Sequence, residues 1–181
     1  MTGGALTLMV LVMRTADLPM PFGPLTAAGA PREGAGKAVF ELEVPLQAIK
    51  WRNVVVHSSR RRPGSISARY HFVIERGPEG KVRATTTEFW RRQVEAHHVY
   101  VPSRDWNADS IGICVKGDFS TSPPSPEQMN ALIELVHTLQ ETCNISADHV
   151  YLCNDIDRRC DSPGAAFPAR AFTDRLWRPQ R

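Results

Sequence analysis

The sequence has no long hydrophobic run, no strong excess of one charge sign and no internal repeat. The apolar stretch Ala5–Met13 is too short to span a bilayer, so we expect no membrane span. A formal net charge of +3 and a hydrophobic fraction of 42% are ordinary for globular proteins, which argues against disordered and fibrous classes. A chain of 181 residues has the length of a single domain with one buried core.

Cysteine is scarce: the chain has 4 and is large enough to fold without disulfide staples. Cys114 lies inside the apolar run Ile111–Val115, which predicts a small buried thiol. Cys153 and Cys160 lie among polar residues near a turn. The sequence leaves open whether these two bind a metal or form a disulfide.

Residues 1–37 are predicted to be a flexible leader, because positions 15–37 are rich in Pro, Gly and Ala and show no helical or strand period. The leader is a poor match to an export signal, since no basic residue precedes Ala5–Met13 and Arg14 and Asp17 follow it directly. We interpret it as a degenerate export signal at most, and we favour the cell envelope or secretion over the cytoplasm. Residues 38–181 are expected to form the folded domain.

Short apolar runs predict a sheet of several strands. Val54–Val56 is a continuous β-branched run, which is typical of a central strand buried on both faces. Val39–Val44 alternates apolar and charged residues and predicts an edge strand that ends at Pro45. Further elements are strands at Tyr70–Ile74, near Lys81–Arg83, at Ile111–Val115 and at His149–Leu152, and a final helix near Pro168–Trp177.

The clearest helix is predicted from Ser125 to Cys143. Ser125 is a suitable N-cap, Pro126 suits the first turn, and Gln128 completes a capping box. Asn144 is a suitable left-handed C-cap. A buried stripe at helical spacing is formed by Met129, Leu132, Ile133, Val136 and Leu139. The order of elements predicts an α/β fold with a mixed central β-sheet flanked by helices.

Polar side chains suited to chemistry follow several of the predicted strands. His57 comes directly after Val54–Val56, at a strand end, where open sheets place their sites. Other candidates at strand ends and turns are Tyr70-His71, His97-His98, Cys153–Asp157 and Cys160–Gly164. We therefore expect several metal ligands or acid–base groups to gather at one edge of the sheet.

Seven short motifs occur in order between about Trp51 and Phe172. They are Val55–Ser59, Tyr70–Ile74, Ala96-His97, Asn107 with Ser110–Ile113, Gly117–Phe119, the helix with Gln128, and Ser162–Pro168. In this order they resemble the zinc-dependent N-acetylmuramoyl-L-alanine amidases, which include phage lysozyme-type amidases and peptidoglycan recognition proteins. Each motif is weak alone, and their common order makes the signal specific.

The resemblance implies a groove for the peptide stem of peptidoglycan and hydrolysis of the amide between the lactyl group of muramic acid and L-alanine. In such a site three protein ligands hold Zn²⁺ and leave a position for water, which the metal acidifies. By this resemblance His57 is the first zinc ligand and Tyr70 is the catalytic tyrosine that assists the oxyanion. The residues expected to bind substrate are His97, Asn107 and Ser110.

The other two zinc ligands depart from the family pattern. Cys153 stands where the family has a histidine, and Ser162 stands where it has a cysteine or an aspartate. Because a neutral hydroxyl is a poor zinc ligand, we expect a shifted loop to supply Asp161 or Cys160 instead. Arg159 matches the family's catalytic lysine if Asp161 binds the metal. Cys160 takes that position if Ser162 holds the ligand's place.

Two functions follow from these departures. The first is a zinc-dependent amidase whose metal ligands are His57, Cys153 and either Asp161 or Cys160. The second is a non-catalytic relative that binds peptidoglycan or muropeptides without cutting them. A third and distant hypothesis is a nucleic-acid binder that uses Arg60–Arg62, which lie in the shortened link between His57 and Tyr70. We expect no nucleic-acid partner.

Overall fold

The computed structural model describes residues 34–60 and 69–178, all within one unit of the chain, Pro31–Arg181. The predicted leader, apart from residues 34–37, lies outside the described residues, as do Arg61 and Arg62. Among the helices that are described, none has the length and apolar character needed to cross a membrane.

Five strands form one sheet in the order β3-β2-β4-β1-β5. They are β1 (Asn53–Ser58), β2 (Phe72–Arg76), β3 (Val82–Thr86), β4 (Ser110–Val115) and β5 (Val150–Leu152). β3 is antiparallel to β2, whereas β2–β4, β4–β1 and β1–β5 pair in parallel. The predicted mixed sheet is therefore confirmed, and the run Val54–Val56 lies in an interior strand that is buried throughout.

The alternation of side chains along the strands makes the two faces of this sheet unlike. The helix face packs against α2 (Pro126–Cys143) and carries large apolar side chains, namely Val54, Val56, Phe72, Ile74, Ile111 and Ile113. The opposite face, here called the site face, carries Val55 and His57 of β1 and Cys114 of β4. Cys114 is a buried free thiol, as its sequence context predicts.

Helix α2 is capped as its sequence predicts. Ser125 Oγ accepts a hydrogen bond from the Gln128 N–H at 3.3 Å, and Gln128 Oε1 accepts one from the Ser125 N–H at 3.1 Å. Asn144 ends the helix in the left-handed region with φ 54°. The capping box and the C-cap are both confirmed.

The other helices are short. They are α1 (Glu88–Arg91), α3 (Cys153–Ile156) and α4 (Ala169–Thr173), with 3₁₀ helices at Ala35–Phe40, Ala48–Lys50 and Ala147–His149. α4 confirms the final helix, although it ends earlier than predicted. α1 and α3 were not predicted, because a segment of one turn is too short to show a helical period.

The predicted edge strand at Val39–Val44 is wrong. Residues Ala35–Phe40 form a 3₁₀ helix that packs against α2, and residues 41–44 are not in a strand. Val39 is fully buried, and its carbonyl accepts a hydrogen bond from Trp90 Nε1 at 3.0 Å. These tertiary contacts outweigh the alternating pattern, which is a weak preference by itself.

Candidate metal and substrate site

His57 lies near the C-terminal end of β1, at the strand end where the sequence places it. Its side chain is on the site face and is 2% exposed. β1 is flanked by β4 and β5 in parallel, so residues that follow β5 emerge at the same edge of the sheet as His57. This topology brings the turn after β5 next to His57.

A second histidine, His98, holds the ring of His57. His57 Nε2 lies 3.2 Å from His98 Nδ1, and His98 Nε2 lies 3.3 Å from the carbonyl oxygen of Ser110. Because a carbonyl only accepts, His98 Nε2 carries the proton and donates it, so His98 Nδ1 accepts from His57 Nε2. Nδ1 of His57 is then the nitrogen that retains a lone pair.

The close approach of His98 to the sheet depends on Gly112 in β4. A Cβ atom at position 112 would lie 2.6 Å from Cδ2 of His98, which is closer than carbon atoms can pack. Glycine at this position is therefore what allows the His98 ring to lie over β4 and reach His57.

Burial keeps the clustered histidines neutral near pH 7. It holds the pKa of His57 well below its usual value, and the neighbouring His98 lowers it further. Burial lowers the pKa of His98 to about 4, against the opposing effect of its hydrogen bond to Ser110. The pKa of His71 is also well below its usual value, mainly through burial. A neutral imidazole is the form that binds a metal ion.

His57, Cys153 and Cys160 converge at this edge of the sheet. Their ligand atoms, one imidazole nitrogen and two sulfurs, all lie within 4.8 Å of one another. Cys153 is the first residue of α3, directly after β5, and Cys160 closes the turn that follows. Of the two alternatives that the sequence leaves open for the cysteine pair, the structure has the disulfide.

The aspartate considered as a metal ligand, Asp161, lies apart from this cluster. Its carboxylate forms an ion pair with Arg60 and its side chain is 65% exposed. Ser162 lies closer to β1, because its Oγ accepts a hydrogen bond from the Ser58 N–H at 2.7 Å. The candidate ligand set among the described residues is therefore His57 with the two cysteines, and Asp161 is not part of it.

Tyr70 lies beside His57, with ring centroids 5.1 Å apart. Its backbone carbonyl accepts a hydrogen bond from Thr87 Oγ1 at 2.6 Å, which anchors the residue just before β2. The side chain is half-buried. A phenol therefore stands next to the cluster, where it can donate a hydrogen bond to a bound carbonyl oxygen.

The three residues predicted to bind substrate lie around His98. His97 is exposed, and its neighbour His98 is the histidine that lies inside the site. Asn107 Oδ1 accepts hydrogen bonds from the N–H groups of His98 and Val99, each at 3.0 Å. Ser110 is fully buried, and its carbonyl holds the His98 ring. Asn107 and Ser110 therefore position His98 from within the fold, and substrate binding by the three residues stays a prediction.

Arg159, predicted to replace the family's catalytic lysine, is on the outside of the turn after α3. Its guanidinium pairs with the Asp157 carboxylate at 3.2 Å, and its side chain is 74% exposed. This pairing raises the pKa of Arg159 and lowers the pKa of Asp157. Its participation in catalysis stays a prediction.

Trp106 is a site-face residue that the sequence reading did not single out. It packs against the buried group that contains Val55 and Cys153. Its ring meets that of Tyr151 edge-on with centroids 5.4 Å apart, and the Arg104 guanidinium lies 4.2 Å over it. The sequence feature that could have identified Trp106 is a tryptophan in an otherwise polar segment, since such a residue often supplies a binding surface.

The chain matches the model of a known protein family. Residues 46–165 match the family model described as N-acetylmuramoyl-L-alanine amidase. The matched range contains all five strands and also His57, Tyr70, Cys153 and Cys160. A comparison with curated proteins found no match.

Solved structures share the fold at low sequence identity. The endolysin amidase LysCS from Clostridium intestinale is 23% identical, with a TM-score of 0.54 over 72% of this chain and 87% of that one. The amidase AmiD from E. coli, in complex with the substrate anhydro-N-acetylmuramic acid-L-Ala-D-γ-Glu-L-Lys, is 20% identical, with a TM-score of 0.55 over 74% and 61%. Peptidoglycan recognition proteins LCa and LCx bound to tracheal cytotoxin give 17% identity and a TM-score of 0.52 over 72% and 86%.

Proposed function

Because this chain belongs to the N-acetylmuramoyl-L-alanine amidase family, we propose that it is a peptidoglycan hydrolase of that type. Its reaction is cleavage of the amide between the lactyl group of muramic acid and the L-alanine of the stem peptide. The observation that carries the proposal is the convergence of His57, Cys153 and Cys160, whose ligand atoms lie within 4.8 Å of one another.

The three side chains fit a zinc ion when both cysteines are thiols. One imidazole and two thiolates make a Cys₂His set, which is known in catalytic zinc sites and leaves a fourth position open. The sulfurs of a disulfide carry no thiolate charge, so the disulfide form does not fit the ion. When bound, zinc supplies an acidified water and polarises the amide carbonyl.

The neighbouring residues then have defined tasks. His98 holds Nε2 of His57, so Nδ1 of His57 is the nitrogen that would bind the metal. Tyr70 donates its phenolic hydrogen bond to the amide oxygen, where negative charge develops during attack. Trp106 offers an aromatic surface to the sugar or the stem peptide.

A zinc determination combined with a muropeptide digest tests this proposal, on reduced wild type and on His57→Ala. Wild type is expected to hold about one zinc per chain and to release free stem peptide. His57→Ala removes the imidazole ligand, so we expect zinc affinity and turnover to fall at least about 100-fold. His149→Ala is the matched control, because His149 is an exposed histidine outside the cluster. Reduced, folded wild type that takes up no zinc contradicts the proposal.

A second candidate function is binding of peptidoglycan without cleavage. Two observations favour it: the disulfide withdraws two of the three ligands, and Ser162 stands where the family has a charged ligand. Calorimetric titration with a purified muropeptide, followed by mass spectrometry, tests it. Binding with the ligand recovered intact supports this function, and release of free stem peptide excludes it.

We further propose that the protein acts in the cell envelope or outside the cell. A disulfide such as Cys153–Cys160 persists in oxidising compartments and is rare in the cytosol. Cell fractionation with thiol trapping tests this location. Recovery of the protein only from the cytoplasm, with both cysteines reduced, contradicts it.

A further inference from the structure

The covalent bond between two members of the ligand cluster controls what the cluster can bind. We propose that Cys153 and Cys160 form a reversible dithiol–disulfide switch, which opens the site to a divalent metal when reduced and closes it when oxidised. The inference rests on the proposed function, because it concerns the same three side chains, and it adds the condition under which they become a metal site.

The turn that carries both cysteines is also held by hydrogen bonds that do not involve sulfur. The Asp157 N–H donates to the Cys153 carbonyl at 3.0 Å, and the Cys160 N–H donates to the Asp157 carbonyl at 2.8 Å. The Asn154 N–H donates to the carbonyl of Ser162 at 3.1 Å, which joins the start of the turn to its end. Reduction therefore leaves the turn folded, with both thiols still beside His57.

Small side-chain rotations convert this arrangement into a metal site. Two sulfurs on a tetrahedral zinc lie about 3.8 Å apart, given a Zn–S distance of about 2.3 Å. The Cα atoms of Cys153 and Cys160 are 6.0 Å apart, so rotation about the Cα–Cβ bonds can separate the sulfurs without moving the backbone. His57 needs no comparable change, because His98 already holds its ring.

The two cysteine residues differ in exposure to solvent. Cys153 is 5% exposed and packs against Val55, whereas Cys160 is only partly buried. A thiolate from solution can therefore reach the Cys160 sulfur first, and the Cys153 sulfur becomes the leaving group.

An external dithiol serves as the reductant and supplies the two electrons that the disulfide takes up. Its thiolate attacks Cys160 Sγ, the bond between the two protein sulfurs breaks, and Cys153 leaves as a thiolate. The second thiol of the reductant loses its proton to solvent, attacks the reductant sulfur of the mixed disulfide and releases Cys160 as a thiolate. The two protein thiolates take up protons from solvent according to the pH. The reductant leaves as a cyclic disulfide, oxidised by two electrons. Metal binding afterwards displaces to solvent the protons that the two thiols carry.

The other two cysteines do not take part. Cys114 and Cys143 are buried free thiols, and burial raises the pKa of each to about 12. They stay protonated and unreactive at neutral pH. The redox change is thus confined to the pair at the site.

Zinc affinity of the two redox forms of wild type is the direct test. One sample is kept oxidised, and the other is reduced with excess dithiol, desalted under nitrogen and checked by thiol counting. Zinc affinity is measured by competition with a coloured chelator, and Co²⁺ is added separately to look for the absorption of a thiolate–cobalt bond. We expect about one zinc per chain and the cobalt signal in the reduced form only, with affinity at least about 100-fold weaker in the oxidised form.

Single-cysteine variants separate the switch from a purely structural disulfide. Cys160→Ser and Cys153→Ser are expected to bind zinc weakly in both conditions, because each keeps only one thiolate beside His57. Cys143→Ala is the matched control and should behave as wild type in both redox forms, since Cys143 lies at the end of α2. If one serine variant fails to fold, the comparison of oxidised with reduced wild type still decides.

Equal zinc affinity in the two wild-type forms overturns the switch, and so does a folded reduced form without zinc. A different result rejects the proposed hydrolase activity. Reduced, zinc-bound protein that releases no stem peptide keeps the switch and rejects the hydrolase. Oxidised protein that cleaves muropeptides as fast as reduced protein keeps the hydrolase and rejects the switch.

Discussion

The helix face and the site face of the sheet are built from the same strands and differ in chemistry. In β1, Val54 and Val56 point into the large apolar core under α2, whereas Val55 and His57 point to the opposite side. On that side the buried apolar group is small, and histidines and the disulfide lie beside it.

This division separates stability from chemistry. Because adjacent residues of a strand face opposite sides, a substitution on one face leaves packing on the other nearly unchanged. The departures at Cys153 and Ser162 both lie in the turn after β5, away from the apolar core under α2. The fold can therefore keep its core while the ligand set changes.

Acid is expected to have the largest effect, and it acts through the site face. The pKa of His98 is about 4 in the folded protein, and burial lowers those of His57 and His71 as well. A base whose pKa falls on folding binds more protons when unfolded, so its stabilising effect is complete above about pH 6.5 and is lost as the pH falls towards 4. From about pH 7.5 to about pH 5, His98 alone removes about 2 kcal/mol, and the other two act in the same direction.

Urea unfolding of zinc-free protein across this pH range measures the effect. His149→Ala serves as the control, because His149 is an exposed histidine outside the buried group of His57, His71 and His98. A flat profile between about pH 7 and about pH 5 contradicts the neutral, buried state of the three histidines.

Leu132→Ala tests the helix face. Leu132 is fully buried in the core under α2, so the substitution should cost about 3 kcal/mol through lost burial and the cavity left behind. Denaturant unfolding measures the loss, and Asn130→Ala, at an exposed position of the same helix, should cost only about 1 kcal/mol through the lost hydrogen bond from Arg175. Zinc affinity of the reduced, folded variant should match wild type. A large change in zinc affinity means that packing on the helix face affects the metal site on the site face.

Gly112→Ala tests how tightly the site face is packed. Its new Cβ would lie 2.6 Å from the His98 ring, so we expect a loss of about 2 kcal/mol and a zinc affinity about 10-fold weaker in the reduced form. Combining it with His98→Ala removes the clash, so the two costs should be clearly non-additive in a double-mutant cycle. Additive costs argue against the assigned contact.

Ser125→Ala has the smallest expected effect and concerns the helix face alone. It removes the oxygen that accepts from the Gln128 N–H and should cost about 1 kcal/mol. Ser146→Ala is the matched control, because Ser146 precedes a 3₁₀ helix without making a side-chain capping bond. Thermal unfolding compares the two variants, and equal shifts in Tm count against the capping role.

Prediction from sequence succeeded where the signal is local. The capping residues of α2 and the apolar runs of the interior strands carry their information within a few positions. It failed at Val39–Val44, where packing against α2 selects a 3₁₀ helix. It also did not distinguish the buried His98 from its neighbour His97, because residues 94–100 have no regular structure and hence no period to show which of two adjacent side chains points inward.

Local sequence patterns were enough to predict the mixed sheet, the capped helix α2, the family and the position of His57 at a strand end. Folding of the whole domain was needed to show that Cys160 rather than Asp161 joins His57, that His98 holds its ring, and that the two cysteines are bonded to each other. The physical reason is distance along the chain. The contacts of His57 join β1 to segments about 40 and 100 positions later, and parallel pairing of β1 with β4 and β5, which no local pattern encodes, brings them together.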